Sequence, residues 1–66
     1  MFKDIVLKAL KEKNMSMAQF AEAIGVSASA VYAWLDNSYK PKADKLLEIS
    51  KVLDIPLEKL IRALEV

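Results

Sequence analysis

The 66-residue sequence contains no cysteine and no histidine, and it has only one glycine and two prolines. Without cysteine or histidine the chain cannot form a disulfide framework, a thiolate or imidazole zinc site, or a catalytic centre that uses either side chain. A domain of this size buries only about 60% of its unfolded surface, so its stability must come from helix packing or from a partner. The shortage of glycine and proline, beside abundant Leu, Ala, Lys and Glu, favours an all-α fold.

The sequence also lacks a long apolar run and a large net charge. No apolar segment approaches the roughly 18 residues that cross a membrane, and no signal-peptide pattern is present, so the expected location is the cytoplasm. Ten Lys and Arg oppose nine Asp and Glu, which gives a formal charge of +1. This total does not indicate nucleic acid by itself, but the charges are uneven: residues 1–13 and 37–45 each carry +2, and residues 14–36 carry −2.

The acidic residues show no pattern typical of catalysis or metal binding. Glu22 and Glu48 have no acidic partner at a recognisable spacing, and the sequence contains no nucleophile–base pair and no cofactor-binding loop. We therefore expect a protein that is not an enzyme and that binds neither a metal nor a cofactor. No small-molecule ligand is evident either.

Apolar residues recur at helical spacing in five segments, and residues that begin or end helices separate them. Ser16 and Gln19 form a capping-box pattern before the second segment, and Gly25 suits the left-handed turn at its end. Ser27 offers an N-cap to the third segment, and Pro56 fits the first position of the fifth. The predicted helices are 2–13, 17–24, 28–36, 43–54 and a fifth that begins at residue 56.

The second and third predicted helices form a helix-turn-helix, whose second helix can lie in the DNA major groove. Ala21 is small where the two helices cross, Gly25 lets the turn take a positive φ, and Val31 fills the space between the helices. Val31, Trp34 and Leu35 form the inward face of the third helix, which makes Trp34 a core residue. The opposite face is left for a partner.

With these segments, the chain resembles the lambda-repressor-like (Cro/CI-type) helix-turn-helix family of transcriptional regulators. The matching segments are SMAQFAEAIGVS (16–27), VYAWL (31–35), KPKADKLLEISKVL (40–53) and IPLEKL (55–60), the last being similar to the usual start of the fifth helix. The resemblance implies a compact five-helix domain over residues 1–66 that binds duplex DNA, commonly as a homodimer on a palindromic site.

The resemblance also implies which residues contact DNA. The base-reading positions of the family fall on Ala28, Ser29 and Ala33, with Tyr32 beside them. Positions that usually touch phosphate match the start of the second helix and the loop after the third: Ser16, Met17, Asn37, Ser38, Tyr39, Lys40 and Lys42. Lys45 belongs to the same basic block and is expected to face phosphate as well.

The chain departs from the family at these positions. Where the family often has Gln, Arg or Asn in the third helix, this chain has Ala28 and Ala33, and Met17 stands where Gln is frequent. An Arg–guanine or Gln–adenine pair contributes about 1–3 kcal/mol of discrimination, which alanine cannot supply. The contacts that remain are thymine-methyl contacts from Ala28 or Ala33, a hydroxyl contact from Ser29, and a Tyr32 contact. Much of the specificity should then come from DNA shape and dimer spacing.

The fifth helix carries an apolar stripe at positions i, i+3, i+4 and i+7, and this stripe has two interpretations. It either closes the core of one molecule or forms a symmetric contact with a second copy. The hydrophobic share of 55% favours the second interpretation. The predicted dimer contact consists of Leu57, Leu60, Ile61, Leu64 and Val66.

The sequence therefore predicts a transcriptional regulator that binds duplex DNA at a specific sequence. Repression is expected, because so small a domain has no room for a separate effector module. A protein-interaction module that kept the helix-turn-helix fold stays open as the alternative, because the third helix is alanine-rich outside and residues 14–36 are acidic overall.

Overall fold

The computed structural model describes residues 1–65, and Val66 lies outside the described residues. Its helices are α1 (Phe2–Glu12), α2 (Met17–Ile24), α3 (Ala28–Leu35), α4 (Ala43–Leu53) and α5 (Leu57–Leu64). Residues 1–65 contain no strand, which confirms the all-α, five-helix prediction. None of the helices within this range is long and apolar enough to cross a membrane.

Local hydrogen bonds build the turn between α2 and α3. The Ser16 hydroxyl accepts the N–H of Gln19 at 3.1 Å, and the Gln19 amide oxygen accepts the N–H of Ser16 at 2.8 Å, so the predicted capping box is confirmed. Gly25 ends α2 with φ of 72°, in the left-handed region where a side chain is strained. The Ser27 hydroxyl accepts the N–H of Ala30 at 3.2 Å and begins α3. Only Val26 and Ser27 separate Gly25 from α3, which fixes the angle between the helices.

The turn between α4 and α5 differs slightly from the prediction. Pro56 is the N-cap of α5 rather than its first residue, because its ψ of 133° keeps the backbone extended there. Asp54 ends α4 with φ of 57°, a conformation that aspartate tolerates better than most residues. The Ser50 hydroxyl donates to the Ile55 carbonyl at 2.5 Å, and the Ile55 N–H donates to the Ser50 carbonyl at 3.1 Å. This reciprocal pair holds α5 against the end of α4.

Side chains from all five helices meet in one core. Its largest fully buried members are Phe20, Ile49, Leu60, Val6 and Val31. Helix α2 packs on α3 and α4, α4 packs on α5, and α1 contacts α3, α4 and α5. All three residues of the predicted inward face of α3 are buried, and Trp34 is only 8% exposed, so its core role is confirmed. This packing leaves the opposite face of α3 at the surface.

Candidate nucleic-acid interface

The outer face of α3 consists of Ala28, Ser29, Tyr32 and Ala33. Residues four apart on a helix lie on the same side, so these four share one surface. Ser29 is exposed and Tyr32 is 56% exposed, whereas Ala28 and Ala33 are half-buried. Helix α3 contains no charged residue. The face therefore presents two methyl groups, two hydroxyls and one aromatic ring, all carried by a helix whose other side is locked into the core.

The start of α2 offers backbone groups to an anion. The first N–H groups of an α-helix have no partner inside the helix, and those of Met17 and Ala18 find none elsewhere within residues 1–65. These groups stand at the positive end of the helix dipole, where an anion is stabilised. The Met17 side chain is half-buried and packs against the core, so only its backbone remains available. Ser16 is exposed, but its hydroxyl already caps the helix.

The loop after α3 is tied back to the end of that helix. The carbonyl of Ala33 accepts the N–H of Ser38 at 2.9 Å and the N–H of Tyr39 at 3.3 Å. Asp36 Oδ1 accepts the same Ser38 N–H at 2.9 Å, and Asn37 takes a left-handed φ of 65° that makes the reversal possible. These bonds give the loop a defined path beside the outer face of α3.

Two lysines are exposed on either side of a buried proline in this loop. Pro41 is buried, whereas Lys40 and Lys42 are exposed and Tyr39 is 72% exposed. The proline anchors the segment, so both ammonium groups start from a fixed backbone. Together with Asn37 and Ser38, which are also exposed, they form the predicted phosphate-facing loop.

Asp36 reduces the positive charge of the loop. A hydrogen bond from the Ser38 side chain, and a second from the Ser38 N–H, hold the pKa of Asp36 below its ordinary value, and Lys3 adds a further attraction. Asp36 is therefore ionised at neutral pH. Beside Lys40 and Lys42, it leaves residues 36–42 with a net charge of only +1.

Lys45 does not lie free at this surface, contrary to the sequence-based expectation. It is half-buried, and its Nζ donates to the carbonyl of Ile24 at 3.1 Å. That carbonyl belongs to the last turn of α2, where a cation is stabilised by the helix dipole. A Cβ atom on Gly25 would lie 4.0 Å from the same Nζ. Lys45 thus joins α4 to the helix-turn-helix, a role that its sequence context does not reveal because the two residues are 21 positions apart.

The apolar stripe of α5 is divided between the core and the surface. Leu60 is fully buried, so its place in the predicted dimer contact is wrong: it has no surface with which to meet a second copy. Leu57 and Leu64 are half-buried, and Ile61 is 41% exposed. Val66, the remaining member of the predicted contact, lies outside the described residues. Three apolar side chains of α5 therefore retain surface in the described chain.

Sequence reasoning missed other parts of this apolar surface. Ile5 of α1 and Ala63 of α5 line a groove between the two helices, with Pro56 at one end of α5. Leu47 of α4 is also exposed. These residues belong to the same apolar patterns as their buried neighbours, so only the packing of the helices reveals which of them line the groove or stay exposed.

Among residues 1–65, no three His, Cys, Asp or Glu side chains come together as they would around a metal ion. The groups that this part of the chain presents to a ligand are the hydroxyls, methyls, backbone N–H groups and ammonium groups described above.

Known proteins share this sequence pattern. The helix-turn-helix family model matches residues 6–60. A provisionally named HTH-type transcriptional regulatory protein of Methanocaldococcus jannaschii is 38% identical over 55 residues, which cover 82% of this chain and 17% of the relative. A protein of Methanococcus vannielii with the same provisional name is 37% identical over 62 residues, which cover 88% of this chain and 19% of the relative.

This chain thus spans less than a fifth of the length of the curated relatives it matches. No solved structure shows significant similarity to it.

Proposed function

Because the chain belongs to the helix-turn-helix family of transcriptional regulators, we propose that residues 1–66 act as one domain that binds a specific site on duplex DNA. The observation that carries this proposal is the exposed, uncharged outer face of α3, a helix that follows α2 after a tight turn and leads into the loop that contains Lys40 and Lys42. An α-helix fits the major groove, and groups beside it meet the phosphates of the two strands.

In the proposed complex, base contacts and phosphate contacts come from different elements. The outer face of α3 lies in the major groove, so its four residues, Ala28, Ser29, Tyr32 and Ala33, read base edges. At the start of α2, phosphate is contacted by the N–H of Met17 and by the hydroxyl of Ser16, which accepts a bond from Gln19 but still has a hydrogen to donate. The loop after α3 adds the remaining phosphate contacts: Asn37, Ser38, Tyr39, Lys40 and Lys42. Phosphate contacts set the register, and the α3 contacts choose the sequence.

We further propose that two copies bind a palindromic site through the exposed part of α5. Leu57, Ile61 and Leu64 supply apolar surface to a symmetric contact, to which Val66 would add. A dimer would place two α3 helices in successive major grooves, about 34–36 Å apart. Bound in this way over a promoter, the protein would repress transcription by excluding other proteins. In a prokaryotic cell this role belongs to the cytoplasm, where the chromosome lies.

Selection from a random pool of duplexes tests the proposal. The wild-type protein should enrich one motif, and its two halves should be centred about 10–10.5 base pairs apart if a dimer binds. Sedimentation equilibrium at high micromolar concentration should show a species heavier than the 7.4 kDa monomer. A single half-site together with a purely monomeric protein would contradict the dimer but not DNA binding.

One observation favours a second candidate, a protein-interaction module. The uncharged outer face of α3 and the low charge of the neighbouring loop suit an apolar protein groove as well as DNA. A gel shift on random duplex at low salt separates the two candidates. Retarded DNA at micromolar protein supports the DNA-binding proposal, and free DNA at every concentration supports the interaction module.

A further inference from the structure

The outer face of α3 lacks every side chain that forms a pair of hydrogen bonds with one base. It offers the methyl groups of Ala28 and Ala33, the ring and hydroxyl of Tyr32, and the hydroxyl of Ser29. A hydroxyl both donates and accepts, so it meets the hydrogen-bonding groups of any base and distinguishes them weakly. Base discrimination on this face must therefore come from apolar contact.

The major groove contains one apolar group that can be read in this way. Each base pair shows a pattern of donors and acceptors there, and thymine adds a methyl group at C5. Cytosine has hydrogen at the same carbon, and cytosine that has been methylated at C5 carries the methyl group in the same position. Two different bases therefore present the same chemical feature to a helix in the groove.

We propose that the outer face of α3 selects duplex DNA by the C5-methyl groups of pyrimidines in the major groove, whether these belong to thymine or to 5-methylcytosine. This inference rests on the proposed DNA-binding function. It assigns the contact to Ala28 and Ala33, both half-buried; each keeps some exposed surface on a helix whose other face is fixed in the core, although Ala28 also packs against that core. Methylation of cytosine in a site would thereby change the affinity of the protein for that site.

The helix geometry supports a methyl contact at more than one base. Ala28 stands in the first turn of α3 and Ala33 in its last turn, five residues apart. At a rise of 1.5 Å per residue they are separated by about 7.5 Å along the helix axis. This distance exceeds the spacing of adjacent base pairs in B-DNA, about 3.4 Å, so the two alanines are far enough apart to contact different base pairs.

The test begins with the duplex recovered by selection from the random pool. Thymines in it are replaced one at a time by deoxyuridine, which differs from thymidine only in lacking the C5-methyl group. At each contacted position the dissociation constant should rise about fourfold, the factor that corresponds to one buried methyl group. The dependence on salt should stay the same, because no phosphate contact changes. Affinity that is unchanged by deoxyuridine at every thymine of the half-site would overturn the inference.

A second arm distinguishes the two sources of the methyl group. The thymine–adenine pair at a contacted position is replaced by cytosine–guanine, with cytosine either unmodified or methylated at C5. Methylation should tighten binding relative to unmodified cytosine by about the same fourfold factor. Recovery with 5-methylcytosine identifies the methyl group itself as the feature recognised. If deoxyuridine weakens binding but 5-methylcytosine does not strengthen it, the preference is for thymine as a base and the shared-methyl proposal is wrong.

Protein variants assign the contacts to residues. Ala28→Gly and Ala33→Gly should each abolish the deoxyuridine effect at one position, and the two positions should differ. Ala23→Gly is the matched control, since it makes the same change at an exposed site of α2 and should leave every deoxyuridine effect in place. Retention of all the effects in both α3 variants would contradict the assignment. If the wild-type protein enriches no duplex at all, the DNA-binding proposal itself has failed, and that outcome is separate from every result above.

Discussion

Helices α3 and α5 have eight residues each, yet only α5 carries charged side chains. Helix α3 contains no charged residue, and the Ser27 hydroxyl caps its start. Helix α5 has no side-chain cap. Instead, Glu58 in its first turn and Arg62 in its last turn interact favourably with the helix dipole, and they form an exposed ion pair with each other.

The difference agrees with the different partners that we propose for the two surfaces. In the proposed complex, the phosphate contacts next to α3 come from the lysine loop and the start of α2, so the helix itself needs no charge to lie in a groove. On α5 the charged residues surround an apolar stripe, which keeps that surface compatible with water and suits contact with another protein surface. The proposal thus assigns DNA to the uncharged helix and a protein partner to the charged one, the reverse of what charge alone would suggest.

The greatest loss of stability is expected on the buried side of α5. Leu60→Ala should lower the free energy of unfolding by about 2–5 kcal/mol, because a fully buried leucine leaves a cavity when it is truncated. Ile61→Ala, one position along and 41% exposed, should cost less in stability and should instead weaken self-association. Urea unfolding measures the first effect and sedimentation equilibrium the second. Equal losses of stability in both variants would remove the distinction between the core side and the surface side of α5.

The lysines of the loop after α3 should affect the affinity for DNA and its dependence on salt. Replacing both Lys40 and Lys42 by Ala should weaken binding to all duplex sequences and reduce the log–log salt slope by about 1.8, since each lost phosphate contact contributes about 0.9. The control is the double replacement of Lys8 in α1 and Lys51 in α4 by Ala, which removes the same charge at exposed positions outside the proposed interface. Titrations of a labelled duplex at several salt concentrations measure both slopes. Equal slopes for the two double variants would exclude the loop from the interface.

Lys45 tests whether a lysine close to the same loop serves the fold instead of DNA. Lys45→Met should lower the free energy of unfolding by about 1 kcal/mol, because the Ile24 carbonyl loses a charged donor at a half-buried position. The salt slope of DNA binding should not change. Lys42→Met is the matched control and should show the opposite combination, with stability unchanged and the slope reduced. A reduced slope for Lys45→Met would return this residue to the phosphate-facing group.

The ionisation of Asp36 should have the smallest effect, a change in how stability depends on pH. Its pKa is lowered by the hydrogen bonds from Ser38, so the folded state favours the ionised carboxylate. The resulting stabilisation is complete above the ordinary pKa of aspartate and is lost as the pH falls through the lowered pKa. Thermal unfolding between pH 6 and pH 3 should therefore show a steeper loss of stability for the wild type than for Asp36→Asn. Parallel curves would mean that the Ser38 hydrogen bonds do not favour the ionised form.

The sequence predicts those parts of the fold that depend on neighbouring residues. The capping box of Ser16 and Gln19, the left-handed Gly25 and the Ser27 cap are all local patterns, and each is present in the structure. They determine the turn that sets α3 against α2. The helix-turn-helix and the exposure of its second helix could therefore be predicted without knowledge of the rest of the fold.

Features that depend on packing between distant residues could not be predicted. The bond from Lys45 to the Ile24 carbonyl spans 21 positions, so the sequence shows only a lysine in a basic segment. Leu60 and Ile61 are adjacent in one apolar stripe, and only the positions of the other helices decide that the first is buried and the second exposed. The sequence predicts which residues form the apolar stripe of α5. It does not predict which of them are buried in the core and which are exposed.

In the proposed complex, the outer face of α3 reads the bases. Ser29 is exposed on this face, so a longer side chain can be placed there without disturbing the core. Glutamine can form two hydrogen bonds with adenine in the major groove, a preference worth about 1–3 kcal/mol. The most direct measurement is therefore selection from the same random duplex pool with the wild-type protein and with Ser29→Gln. We expect the variant to enrich the wild-type motif with adenine newly preferred at one position of the half-site. Enrichment of an identical motif by both proteins would contradict base reading by α3.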